Sequence, residues 1–76
     1  MNDDIRKMLA KLIDQISEIK DAIENIGAEE QDKFDNLPEP FQCSERGERM
    51  EEAIGYLEDA ANNLDEAMDN IGSAAD

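Results

Sequence analysis

Apolar residues recur along the first half of this chain at helical spacing. Ile5, Leu9, Leu12, Ile16, Ile19, Ile23 and Ile26 follow one another at alternating intervals of four and three residues. That alternation keeps one face of an α-helix apolar, and sustained over several turns it is the seam pattern of helices packed side by side. Met8, Ile13 and Ala22 widen the stripe. The second half repeats the pattern with Met50, Ile54, Leu57, Ala61, Leu64, Met68, Ile71 and Ala75. From Glu51 to Ile71 it is close to three copies of one seven-residue word: EEAIGYL, EDAANNL, DEAMDNI. Ala53, Ala60, Ala67 and Ala74 form a second column beside this seam, small enough to let another helix approach.

The flanking residues set the helix ends. Asn2 is a natural N-cap, and Asp3 and Asp4 suit the positive end of the helix dipole, so helix 1 is predicted from about residue 3 to 34. Gly27 costs about 1 kcal/mol relative to alanine inside a helix. The helix formers from Ala28 to Lys33 nevertheless favour one continuous helix over a break at that glycine. The connector, residues 35–43, holds Pro38 and Pro40 and is expected to be a stiff, extended, non-helical loop. Ser44 is the N-cap of helix 2, predicted over about residues 45–73, with Glu45 in its first turn.

A connector this short makes the two helices antiparallel neighbours. The fold class is therefore all-α: one domain, residues 1–76, folded as a coiled-coil-like helical hairpin. Residues are expected to meet where their numbers sum to roughly 80 by helical rise, which places Lys20 near Glu58, Ala22 near Ala60 and Met8 near Ala74. One partner helix covers only part of each apolar stripe. Ile13 and the alanine column are left over, which predicts self-association, most simply a homodimer forming a four-helix bundle.

Composition narrows the function classes. Twenty-one Asp and Glu against seven Lys and Arg give a formal charge of −14. Such a field repels nucleic-acid backbones and anionic membranes and suits a basic partner, so neither direct nucleic-acid nor membrane binding is expected. The N-terminal segment lacks the apolar core of a secretory signal, and no apolar run approaches the ~18 residues of a membrane span. Cys43 is the only cysteine, which excludes an internal disulfide. A cytoplasmic protein is the expectation.

No catalytic constellation is visible. The chain has no histidine, the commonest acid–base residue and metal ligand. Its carboxylates avoid the core positions where a bundle would hold a di-metal centre. It has neither a calcium loop nor a Gly-rich phosphate loop, and Cys43 has no partner base. The expectation is a non-enzyme without metal or cofactor.

Three groups of residues are candidates for binding. Glu51, Glu58 and Asp65 form an acidic ladder with steps of about 10.5 Å. It is either a solvated outer face partly neutralised by Lys20 and Arg6, or a charge array that imitates a phosphate track. Leu37 and Phe41 in the connector either plug the end of the core or dock on a partner. Ser44, Arg46 and Arg49 lie at the start of helix 2, where free backbone N–H groups favour anions. They either satisfy neighbouring acids or grip a phosphate or nucleotide, with Gly47 allowing close approach.

The connector also resembles a turn found in small acidic two-helix proteins encoded by bacteriophages, prophages and mobile elements. The matching residues are Phe34-Asp35-Asn36-Leu37-Pro38-Glu39, then Gln42, then Ser44-Glu45-Arg46-Gly47-Glu48, followed by the acidic–Ala–Ile heptads. The likeness spans roughly Glu29 to Ile71 and departs at Pro40-Phe41, and Cys43 is peculiar to this chain. It implies a context, not a mechanism. The leading expectation is an accessory protein that binds and inhibits or modulates a host factor such as a defence protein. The alternatives are an oligomeric nucleotide-sequestering protein, a structural coiled-coil subunit and an acidic nucleic-acid mimic.

Overall fold

The computed structural model describes residues Met1–Asp76. Three helices follow in order: α1 (Asp3–Asp35), a one-turn α2 (Glu39–Gln42) and α3 (Glu45–Ala75). The long helices run antiparallel along each other, and the whole measures 58 × 15 × 12 Å between Cα extremes.

Local chemistry accounts for each end. The Asn2 side chain accepts a hydrogen bond from the Ile5 N–H at 2.9 Å, and Asp3 and Asp4 occupy the first turn. Ser44 caps α3 by accepting from the Gly47 N–H at 3.2 Å. At the far end, the Arg6 Nε–H donates to the Ala75 carbonyl at 2.8 Å, satisfying an orphan carbonyl of α3 from across the hairpin. Gly27 does not interrupt α1, and a Cβ placed there would meet only the Leu57 Cβ, at 3.9 Å.

The connector departs from expectation. Residues 39–42 form a helical turn rather than extended chain. Pro38 supplies the N-cap, and Pro40 lies in the first turn, where backbone N–H groups need no intrahelical acceptor. Two prolines thus start a helix here instead of forbidding one. The α2 turn lies against the start of α3, where Gly47 is buried with its backbone close to the Phe41 and Gln42 carbonyls. The Gln42 side chain reaches back and donates to the carbonyls of Phe34 and Leu37, both at 3.1 Å. It thereby clamps the end of α1 to the turn.

That turn also moves the register. Lys20 reaches Asp65, not Glu58, and Gly27 lies opposite Leu57. The pairing lies about one helical turn further along α3 than expected at mid-hairpin, because the first turn of α3 packs on α2 rather than on α1. Met8, Ala22 and Ala74 are exposed, so the expected pairs Ala22–Ala60 and Met8–Ala74 do not form buried contacts.

The core is thin. Phe34, Ile54 and Ala61 are its only buried apolar residues. On α1 the side facing α3 carries Leu9, Ile16 and Ile23 together with Ile13, Lys20, Gly27 and Phe34, all buried or half-buried. Ile13, expected to be left over, belongs to the hairpin contact. Left uncovered instead is one column of the predicted seam. Ile5, Leu12, Ile19 and Ile26 are between 43% and 54% exposed.

Helical geometry places that column. At about 100° per residue it lies on one side of the α1–α3 contact, and Leu64 and Ile71 of α3 lie on the same side, with Leu57 nearer the contact, opposite Gly27. These three are half-buried. The hairpin is therefore two-sided, with an apolar broad face and an opposite, polar broad face.

Candidate functional site

The polar face holds the one concavity of the molecule, an open groove between α1 and α3. Its rim carries Lys20, Glu24, Gln31, Glu58, Asn62 and Asp65, and Gly27 and Ala61 form part of its floor. Glycine and alanine at Gly27, Ala28 and Ala61 keep the groove open, and Ile23, Ile54 and Leu57 line its apolar part. Lys20 spans it. Its ammonium is 2.8 Å from Asp65 Oδ1 and 3.4 Å from Glu24 Oε1. The hydrogen bond to Asp65 holds the Lys20 pKa above its ordinary value of 10.5, helped by the nearby charges of Asp65 and Glu24 and opposed by partial desolvation.

The acidic ladder consequently splits. Asp65 is half-buried and paired, whereas Glu51 and Glu58 are exposed and make no ion pair. Arg6, a candidate partner for the ladder, instead lies 3.5 Å from Asp3 and caps α3. What remains outward-facing is a row of carboxylates with no cation beside them.

At the hairpin tip the candidates divide differently. Leu37 is half-buried, but Phe41 is 61% exposed on the outside of α2. The residue that plugs the end of the core is Phe34, 8% exposed. Its place was readable, since it continues the heptad column of Ile13, Lys20 and Gly27, but that column mixes polar and small residues and so gives no apolar signal. Gln42 was also missed as a structural residue. Nothing in a sequence separates an amide that clamps a helix end from one in solvent.

Ser44 is engaged on both sides of its hydroxyl, donating to the Phe41 carbonyl and accepting from Gly47. Gly47 is taken up by the chain's own α2 turn, so the close approach that it permits is internal and not to a ligand. Arg49 lies 2.9 Å from Glu45 one turn before it, in the Glu-before-Arg orientation that suits the helix dipole. Arg46 is exposed and has no ion pair. The structure thus keeps Arg46 and Arg49 outward at the tip and withdraws Ser44 into the cap.

No group of three or more carboxylate or thiol side chains is placed to hold a metal ion, and no helix is long and apolar enough to cross a membrane. Comparison with known proteins finds no matching family, no matching curated protein and no matching solved structure.

Proposed function

We propose that this chain acts by binding, as a self-associating helical hairpin that assembles into a four-helix bundle and presents its acidic surface to a basic patch on a host protein. The uncovered column Ile5, Leu12, Ile19 and Ile26 carries the reading. Large aliphatic side chains repeated every two turns and left half in water call for a partner face. Exposed Glu51 and Glu58 then remain on the outside, free to meet cations of a target, with Leu37 and Phe41 at the tip. The phage-like turn favours a host factor, such as a defence protein, as that target.

Charge reversal tests it. A host factor recovered with the protein is purified and titrated against the wild type and against a Glu51→Lys/Glu58→Lys double variant. Binding is expected to weaken at least tenfold in the variant and to weaken with added NaCl. Equal affinity for both proteins rules out the acidic surface as the contact.

A second reading is nucleotide sequestration. Exposed Arg46, free of any ion pair, favours it, with Arg49 three residues on. It predicts nucleotide binding by equilibrium dialysis that is lost in Arg46→Ala and Arg49→Ala. Unchanged binding in those variants ends this reading. A bundle that binds neither host factor nor nucleotide leaves the purely structural subunit.

A further inference from the structure

We propose that the apolar broad face is covered by a second copy of this chain lying antiparallel, so that α1 packs on α1 of the partner, α3 on α3, and the two tips point in opposite directions. This rests on the self-association put forward above and specifies its geometry.

The face is built for a copy of itself. Between Ile5 and Ile26 of α1, helical phase puts only Met8, Leu12, Gln15, Ile19 and Ala22 on this side. Between Ala53 and Ala74 of α3 it puts the alanine column together with Tyr56, Leu64 and Ile71, with Leu57 at the edge of the contact. No charged side chain projects from either stretch. In a chain with 21 acidic residues, this is the surface on which two copies approach without opposing carboxylates. The alanines let helices come near, and the isoleucine and leucine columns fill the layers between them. The whole broad side measures 58 × 15 Å, on the order of 800 Å², the share that each partner contributes to a stable interface of standard size, and the uncharged stretch makes up roughly half of it.

Charge distribution selects the orientation. The tip, residues 29–52, carries nine acids against Lys33, Arg46 and Arg49. The open end, residues 1–12 and 66–76, carries five acids against Arg6, Lys7 and Lys11. A parallel dimer would stack the two strongly acidic tips. The antiparallel dimer sets each tip beside the less acidic open end of its partner, and it carries Arg46 and Arg49 towards the Asp3–Asp4 end. Ile19, the middle residue of α1, then meets its own counterpart across the two-fold axis.

Cys43 is the free, exposed thiol of the chain and lies at the tip, off the proposed face. The wild-type protein is spin-labelled there, its mass is measured by sedimentation equilibrium at about 100 μM, and the label-to-label distance by pulsed dipolar spectroscopy. The expected result is twice the chain mass with one distance of roughly 50–60 Å, about the helical rise between the two tips. Twice the chain mass with a distance below about 25 Å overturns the antiparallel arrangement and leaves the proposed bundle standing. The mass of a single chain overturns both.

Discussion

Glycine has opposite meanings at two positions of this chain. At Gly47 a Cβ would be driven into the backbone carbonyls of Phe41 and Gln42, which cannot move without unwinding α2. Gly47→Ala is therefore expected to destabilise the hairpin by about 2–3 kcal/mol, measured by urea unfolding. At Gly27 the same methyl group meets the Leu57 Cβ at an ordinary contact distance of 3.9 Å. Gly27→Ala is expected to stabilise by about 0.5–1 kcal/mol, since it removes the helix penalty of glycine and some freedom of the unfolded chain. If Gly47→Ala does not lower the unfolding midpoint, the tip packing described for Gly47 is wrong; if Gly27→Ala lowers it, the ordinary contact with Leu57 is wrong. From the sequence Gly27 read as an interior helix glycine and Gly47 as room for a close approach at the start of helix 2. The difference between them comes from what the fold brings against each.

Among the elements, the cross-helix ion pair sets a pH dependence. The folded-state pKa of Lys20 is raised by its hydrogen bond to Asp65, so the folded state holds that proton more tightly than the unfolded chain does. The stabilisation is fully present below the ordinary lysine value of 10.5 and is lost as pH rises through the folded-state pKa. Thermal unfolding followed from pH 9 to 11.5 is expected to show a fall in melting temperature that is smaller in Lys20→Met. An identical fall in both proteins would show that the pair does not contribute. The sequence placed Lys20 on the correct side of α1 and matched it with an acid of the correct heptad column. It missed the partner by one heptad, two helical turns, because the register shifts along α3 where the helical α2 takes up its first turn, and Pro38 and Pro40 read equally well as a stop and as a start.

For the whole molecule, charge and apolar surface oppose each other. Two copies that associate bring together chains of formal charge −14. Their repulsion is long-ranged, while contact across the apolar face is not. Raising NaCl from 10 to 150 mM shortens the screening length from about 30 to about 8 Å, and is expected to tighten self-association about tenfold or more in sedimentation equilibrium. Binding of a basic partner to the outer carboxylates should respond in the opposite direction. Salt thereby separates the two interfaces proposed for one protein. Weaker self-association at higher salt would mean that attractive ion pairs, not the aliphatic columns, hold the copies together.

The heptad spacing, the caps Asn2 and Ser44 and the acid-rich first turn of α1 were sufficient for two long helices in antiparallel array, because periodicity and capping are local properties of the chain. The same locality made the exposed ladder at Glu51 and Glu58 and the arginines at 46 and 49 visible as candidates. Only the tertiary structure decided which half of each apolar stripe is covered. A helix of 3.6 residues per turn drifts against a seven-residue repeat, and one partner covers less than the whole stripe, so the contact settles where backbones come closest. That is the side of Gly27 and Ala61, where the sequence is least apolar, with Phe34 closing the end. The column of Ile19, the most regular feature of the sequence, was left facing outward for that reason, and that of Leu64 is only half covered.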